Sequence, residues 1–335
     1  MAEDRVLLGH GSGGRLSHDL IQKVFTARFD SAALRQQDDS AVLDLPGGRL
    51  AFTTDSYVVK PLFFQGGDIG RLAVCGTVND LAMVGALAQA VSTGFIIEEG
   101  FPVSDLERVV ASMREAADEA GVEVVTGDTK VVERGGVDGL FVNTAGIGQV
   151  VSGAAVSGRN ARPGDKIIVS GTIGDHGIAV VSAREGLSFT TNVVSDVAPL
   201  NHLVQVMLEV GQVHALRDPT RGGLATTLNE IAAQSGVGMA LTESALPVRN
   251  GVRAACEMLG FDPLYVANEG KLVAVVAPEV AEQIVDRMRA TRYGEQAVVI
   301  GEVTSGPAGR VLMRTTIGGT RVVDMLAGEL LPRIC

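Results

Sequence analysis

One long apolar stretch, residues 72–97, constrains the fold most, because Asp80 is its only charged residue. Its length would suit a membrane span. However, Asn79 and Asp80 lie near its middle, close to Gly76 and Gly85, and an acid at the centre of a bilayer is costly. We therefore predict a helix buried in a protein core, which gives way near Gly85 to a buried strand.

The size and composition of the chain indicate a compact protein of about two domains. It has 335 residues, of which 46% are hydrophobic, 20% charged and 4% aromatic, so neither a disordered chain nor a coiled coil is expected. The net charge of −11, with no Lys/Arg-rich run, argues against binding to nucleic acid or to an anionic membrane. A single magnesium–nucleotide complex remains compatible, because such a site needs carboxylates on the protein.

The three cysteines, Cys75, Cys256 and Cys335, are far apart and lack C-x-x-C spacing. Neither a disulfide framework nor a zinc site is therefore indicated. Cys75 and Cys256 lie in apolar helical patterns and are expected to be inert core residues. The start of the chain has acids and no apolar segment of signal-peptide length, so we expect a cytoplasmic protein. Cys335 is a terminal thiol, which is either incidental or the carrier of a substrate group.

Capping signals divide the first half into helices and strands. Asp68 can cap the apolar helix described above. Ser104 and Glu107 form a capping-box pattern, and the helix that they open would end at Gly121. The predicted strands of this half are 40–45, 49–59, 123–132 and 139–150, the first two forming a hairpin.

A polar segment with proline and glycine, residues 157–166, separates the two halves. We place an N-terminal domain at 1–157, a C-terminal domain at 158–330 and a mobile tail at 331–335. The predicted elements of the second half are helices at 174–185, 196–210, 222–235, 250–259 and 279–290, followed by strand-rich segments at 297–303, 309–316 and 320–326.

Acids occur in separate apolar segments of the first half. Asp38 and Asp39 open a strand, Asp55 lies on the partner strand, Asp80 is inside the apolar helix, and Asp128 lies in a Gly-Asp-Thr turn. An unpaired buried carboxylate costs several kcal/mol, and convergence on divalent cations would remove that cost. The alternative is that each acid caps a helix, closes a turn or pairs with a nearby base.

Two glycine-rich segments, residues 9–15 and 218–224, could offer backbone N–H groups to phosphate. The second precedes a helical pattern, so its amides would lie at a helix N-terminus. Neither is a Walker loop. His10 and His176 lie in glycine-rich turns and could contact the same phosphates.

Seven motifs occur in order along the chain: DDSAV at 38–42, TTDSYV at 53–58, NDLAMVGA at 79–86, TGDTKV at 126–131, RPGDKIIVSG at 162–171, DPTRGGLA at 218–225 and NEGKLV at 268–273. This order resembles the PurM-like ATP-binding superfamily of aminoimidazole ribonucleotide synthetase, selenophosphate synthetase and thiamine-phosphate kinase. The resemblance covers nearly the whole chain. The terminal Pro-Arg-Ile-Cys at 332–335 is similar to that of the carbamoyl dehydratases of nickel–iron hydrogenase maturation.

The resemblance implies two α+β domains and a homodimer in which N-domain strands of both copies form a β-barrel. It also implies bound ATP and Mg²⁺. Position by position, the superfamily's metal-binding acids correspond to Asp39, Asp55, Asp80 and Asp218. The further nucleotide-binding positions are Asp38, Asn79, Asp128, Gly11 and Gly13.

For the reaction, the resemblance implies ATP-dependent dehydration of a carbamoyl group on the Cys335 sulfur to a thiocyanate. Glu269 and Lys130 match residues that transfer protons, although a structural ion pair is the alternative. The implied partners are the carbamoyltransferase HypF as donor and the HypC–HypD complex as cyanide acceptor. The rival hypotheses are a small-molecule kinase or synthetase that does not need Cys335, and a non-catalytic nucleotide-binding scaffold with a docking tail.

Overall fold

The structure is a computed structural model that describes residues 5–29, 31–186, 193–328 and 333–335. Residues 331 and 332 of the predicted tail lie outside the described residues. The N-terminal domain contains a sheet of order β1-β2-β7-β5-β6, in which β5 and β6 are parallel and the other pairs antiparallel. Its strands are β1 Ala41–Leu45, β2 Gly48–Tyr57, the short pair β3 Phe63–Phe64 and β4 Gly67–Asp68, β5 Ala86–Glu98, β6 Glu123–Val132 and β7 Leu140–Val150.

A helical run precedes this sheet, and two longer helices pack with it. The run begins at α1 Gly14–Leu20, passes through a π-helical segment Ile21–Thr26 and ends with α2 Ala27–Phe29. The longer helices are α3 Ile69–Met83 and α4 Val103–Ala120.

Helix α3 is the predicted buried helix. The Asp68 carboxylate accepts hydrogen bonds from the backbone N–H groups of Gly70 and Arg71, as expected of an N-cap. The helix ends just before Gly85, whose φ of +73° favours glycine, and β5 follows. The apolar stretch is therefore a buried helix followed by a strand, as predicted. Among the described residues, no helix is long and apolar enough to cross a membrane.

Two predictions for the first half are wrong. Helix α4 begins at Val103 after Pro102 and has no side-chain cap, so Ser104 lies inside the first turn and forms no capping box. Asp128 lies within β6 rather than in a turn, because the Gly-Asp-Thr sequence continues the pairing of β6 with β5. Gly121 does end α4 in the left-handed conformation, as predicted.

The C-terminal domain contains a sheet of order β14-β13-β10-β12-β8-β11-β9. Its strands are β8 Lys166–Val169, β9 Val213–Arg217, β10 Gly238–Thr242, β11 Val273–Val276, β12 Val298–Thr304, β13 Arg310–Arg314 and β14 Thr320–Val323. Its helices are α5 Asp175–Glu185, α6 Asn201–Val210, α7 Gly223–Ser235, α8 Asn250–Leu259 and α9 Ala281–Arg289. Helix α6 starts five residues later than predicted, since Pro199 disfavours helical geometry at the residue before it.

The two domains share part of their core through α3. Ala82 and Met83 pack with Ile168 and Leu200 of the C-terminal domain. Asn79 is fully buried at the same contact, where its side chain donates to the Ala198 carbonyl and accepts from the Leu200 amide. This shared core fixes the two domains on either side of one groove.

Candidate active site

A groove of about 980 Å³ lies between the domains. Its walls include α1 and the residues before it, the start of β1, the end of β2, and one side of α3. The loop after β9, one face of the helix that follows it, Glu269, Met325 and the last residue of the chain also contribute to the lining. Predicted site residues that line the groove are Asp38, Asp39, Asp55, Asp80, Asp218, Gly13, Glu269 and Cys335.

Three of these carboxylates, Asp39, Asp80 and Asp218, influence one another electrostatically. Burial raises the pKa of Asp39 well above its ordinary value, while Arg217 opposes the shift. Burial and then the charge of Asp218 raise the pKa of Asp80. Burial also raises the pKa of Asp218 to about 6. Gathering buried acids in this way is unfavourable unless positive charge is added.

Magnesium bound to a nucleotide fits this arrangement better than a metal held by protein alone. Among the described residues, no three acidic, histidine or cysteine side chains are already arranged to bind a metal ion. Mg²⁺ commonly keeps several waters and binds one or two carboxylates together with substrate phosphates. The acids of the groove match that mode of binding.

Arg217 is a largely buried cation in this site, with its side chain 17% exposed, that the sequence did not reveal. Its guanidinium lies 3.2 Å from Asp39 and 3.2 Å from Glu230. It therefore balances part of the acidic charge and holds the Asp39 side chain in place. The only sequence signal was its position directly before Asp218.

Two of the predicted nucleotide-binding residues have structural contacts. Asp38 lines the groove, and its carboxylate accepts hydrogen bonds from the Ser157 hydroxyl and the Gly158 amide. It thus ties β1 to the segment between the domains. Asn79 does not line the groove and instead joins the domains, as described above.

Asp128 and Lys130 do not line the groove. Both are exposed on β6 and form an ion pair with a distance of 2.6 Å between the Lys130 Nζ and an Asp128 carboxylate oxygen. The structure therefore does not bring Lys130 together with Glu269 within one chain.

The two glycine-rich segments pack against each other. A Cβ at Gly13, where φ is +75°, would lie 2.8 Å from the Arg221 carbonyl oxygen, so only glycine fits there. Arg221 also donates to the Gly11 carbonyl. Gly11 itself lies outside the groove lining, whereas Gly13 and His10 line it. Helix α7 begins directly after Gly222 and directs its N-terminus at this region.

The tail enters the groove and pairs in antiparallel fashion with the residues that follow β2. The Val58 amide donates to the Cys335 carbonyl at 3.1 Å, and the Lys60 amide donates to the Arg333 carbonyl at 3.3 Å. Ile334 is 3% exposed and packs in the N-domain core. His176 is fully buried and bonds to the Ile334 carbonyl, so it holds the tail and does not reach the groove, contrary to its predicted phosphate contact.

Cys335, Arg221 and Glu269 are neighbours in the groove. Burial raises the pKa of the Cys335 thiol, and Arg221 opposes that rise. Burial also raises the pKa of Glu269. The Glu269 Oε1 atom is buried without a hydrogen-bond partner, while the Glu269 amide donates to Asp196. Glu269 thus offers an unpartnered carboxyl oxygen that can accept a hydrogen bond in the same groove as the thiol.

Comparison with known proteins identifies the family. Residues 37–150 match the N-terminal domain, and residues 162–314 the C-terminal domain, of AIR synthase related proteins. Carbamoyl dehydratase HypE of Azotobacter vinelandii is 56% identical, with 97% of this chain and 96% of that protein covered. The Escherichia coli carbamoyl dehydratase HypE is 46% identical, with 99% of this chain and 100% of that protein covered.

Solved structures agree with these matches. A HypE structure in complex with ATP superposes with a TM-score of 0.84 at 54% identity, covering 99% of this chain and 100% of that chain. HypE from a HypE–HypF complex gives a TM-score of 0.88 at 52% identity, covering 92% and 99%. A thiamine monophosphate kinase of Aquifex aeolicus, at 19% identity and a TM-score of 0.68, shares the fold. The chain therefore belongs to the AIR synthase related family and, within it, to the HypE carbamoyl dehydratases.

Proposed function

We propose that this protein is an ATP-dependent carbamoyl dehydratase that converts a carbamoyl group on the Cys335 sulfur into a thiocyanate, as a source of cyanide ligands for nickel–iron hydrogenase. The observation that carries the proposal is the position of Cys335, which lines the same groove as Asp39, Asp80 and Asp218. A substrate held on this sulfur would therefore lie beside the acids suited to a magnesium–nucleotide complex.

The acids and the glycine segments would bind and orient the nucleotide. ATP supplies the phosphoryl group that turns the carbonyl oxygen of the carbamoyl group into a leaving group. Asp39, Asp55, Asp80 and Asp218 would hold Mg²⁺ with the phosphates, and the segment around Gly13 would cover them. Arg221 would contribute positive charge next to the reacting sulfur. The buried wall around Cys335 would exclude water from the reaction.

Glu269 would accept one proton of the carbamoyl nitrogen, and Lys130 is the second residue proposed for the proton transfers. The Glu269 Oε1 atom is buried without a partner in the groove that Cys335 also lines, and a raised pKa makes a carboxylate a stronger base. Glu269→Gln should still bind ATP and accept a carbamoyl group, but dehydration should slow by about 10²- to 10⁴-fold. Loss of ATP binding with no selective effect on dehydration would instead indicate a structural role.

Lys130 can contribute only through a second copy of the chain in this proposal. Strand β6 forms an edge of the N-domain sheet, and apolar side chains such as Val124, Val125 and Val131 are exposed on it. We propose a homodimer in which both N-domain sheets form a barrel and β6 faces the partner's groove. Lys130→Ala should then slow dehydration and leave ATP binding intact.

The proposed partners follow from the same family membership. A relative forms a complex with HypF, and we propose HypF as the carbamoyl donor and the HypC–HypD complex as the cyanide acceptor here. We further propose a cytoplasmic location, where these proteins would meet.

The decisive experiment follows the mass of the C-terminal peptide. The protein is incubated with the carbamoyltransferase, carbamoyl phosphate and ATP, and the peptide is analysed by mass spectrometry. A carbamoyl adduct should form on Cys335 and lose one water only when ATP and Mg²⁺ are present. Cys335→Ser should abolish both steps. A free metabolite phosphorylated at an undiminished rate by Cys335→Ser would support the rival small-molecule kinase instead.

A further inference from the structure

Tyr57, the last residue of β2, carries a buried hydroxyl that the proposed mechanism does not use. The side chain lines the groove and is 2% exposed. Its Oη atom has no hydrogen-bond partner. Because a buried polar atom without a partner is destabilising, such an atom in the wall of a groove indicates a ligand that satisfies it.

Helix α3 leaves space for this hydroxyl. A Cβ at Gly76 would lie 2.2 Å from the Tyr57 Oη, so no other residue fits there while the phenol keeps its place. Glycine inside a helix is less favourable than alanine. Gly76 thus lowers the stability of α3 and leaves room for a hydroxyl that has no hydrogen-bond partner in the protein.

The hydroxyls behind Tyr57 determine which kind of ligand would fit. Thr144 donates its hydrogen to the Ala73 carbonyl, so in the contact between Thr77 and Thr144 the hydrogen must come from Thr77. Thr77, which lies beside the Tyr57 hydroxyl, has only lone pairs left to offer it. The Tyr57 oxygen therefore receives no hydrogen from Thr77, and its lone pairs remain free to accept one from a ligand in the groove.

Glu269 provides a second acceptor in the same part of the groove. Its Oε1 atom is also buried without a partner. Tyr57, Glu269, Cys335 and Arg221 all line this groove, and burial, with a further contribution from the charge of Glu269, raises the pKa of both Tyr57 and Cys335. A carbamoyl group on the Cys335 sulfur has one NH₂ group with two N–H donors, which matches two acceptors.

We propose that the Tyr57 Oη and the Glu269 Oε1 accept the two N–H groups of the carbamoyl group on Cys335. These two bonds fix the plane of the carboxamide and leave its carbonyl oxygen free to be phosphorylated. Tyr57 is thereby a further residue that contacts the substrate. The inference rests on the proposed function and adds to it the part of the groove that recognises the substrate nitrogen.

The test is Tyr57→Phe, which removes only the hydroxyl, with Tyr265→Phe as the matched control. The Tyr265 hydroxyl donates to the Asp324 carbonyl outside the groove. Each full-length protein is first carbamoylated, and ATP is then added in a single turnover followed by mass spectrometry. Tyr57→Phe should dehydrate roughly 10- to 100-fold more slowly, the effect of losing one well-placed hydrogen bond. Carbamoylation, ATP binding and the control's rate should stay within about twofold of wild type.

Thermal unfolding separates this role from a structural one. Removing a hydroxyl without a partner should leave Tm unchanged or raise it, whereas a structural hydroxyl would lower Tm when removed. A lower Tm together with weaker ATP binding would overturn the inference. So would a wild-type dehydration rate in Tyr57→Phe. If the carbamoyl adduct of the wild-type protein does not lose water with ATP, the proposed function and this inference are both wrong. If only Tyr57→Phe behaves as wild type, the inference alone is wrong.

Discussion

The acids of the groove are individually unfavourable and collectively suited to a cation. Asp39, Asp80 and Asp218 are desolvated and repel one another. Arg217 offsets only part of this charge, since it also pairs with Glu230. These three carboxylates therefore favour the binding of a cation.

Replacing each of these acids by Asn should reduce magnesium-dependent ATP turnover by orders of magnitude, because the phosphoryl charge would no longer be neutralised. The shape of the side chain is kept, so the fold should survive, as circular dichroism would show. Asp44→Asn on the exposed part of β1 is the matched control. Wild-type turnover in all three variants would show that the assignment is wrong.

His176 gives a prediction about pH. Burial lowers the pKa of His176, so the unfolded chain binds the proton more tightly than the folded protein. This histidine therefore destabilises the fold as the pH falls through its unfolded pKa of about 6.5. In His176→Gln, an amide nitrogen can still donate to the Ile334 carbonyl.

The measurement is the difference in unfolding free energy between wild type and His176→Gln at several pH values. The advantage of wild type should shrink between pH 7.5 and 5.5. A constant difference over this range would contradict a neutral, buried imidazole.

Elements differ in how far the sequence predicts them. The hairpin of β1 and β2, the buried α3, the C-terminal end of α4 and both ends of α8 follow from local patterns, because these depend on neighbouring residues. The acids were found for a similar reason, since a charge inside an apolar run is visible locally. Tyr57 and Arg217 were missed, because their roles depend on contacts with residues distant in sequence. Lys130 shows the opposite error. Its sequence motif predicts a site residue, but β6 lies outside the groove of its own chain.

The tail gives a prediction at the scale of one element. Its backbone pairs with the residues that follow β2, and its Ile334 side chain is buried, so the pairing fixes the position of the thiol. Two glycines appended after Cys335 would have to enter the closed groove. Carbamoylation should remain nearly intact, because the donor meets the tail from outside, while dehydration should be strongly impaired.

Inserting the same two glycines between Gly318 and Gly319, in the exposed turn between β13 and β14, is the control. Both rates are followed by the mass of the C-terminal peptide. A normal dehydration rate in the extended protein would mean that the thiol does not react inside the groove, although Cys335 could still carry the group.

At the scale of the whole molecule, the exposed edge of the N-domain sheet needs an explanation. An apolar edge strand such as β6 is prone to pairing with another chain. We expect the dimer to cover it, so Val125→Glu should shift the protein from dimer to monomer in sedimentation experiments. Val103→Glu, at an exposed position at the start of α4, should leave the dimer intact. A monomeric wild type would contradict the proposed barrel.

Burial of Ile334 also governs how often the thiol can be loaded. Burying an isoleucine side chain stabilises a contact by about 1.5 to 3 kcal/mol, which by itself favours a docked tail over an undocked one by a factor of roughly 10 to 150. In the proposed cycle, the donor enzyme would then meet an accessible tail in about 1 to 10% of molecules, and its apparent affinity would fall to that fraction of the intrinsic affinity. The side chain that positions the sulfur for dehydration thus makes the first reaction slower, and the two steps set opposite demands on a single residue.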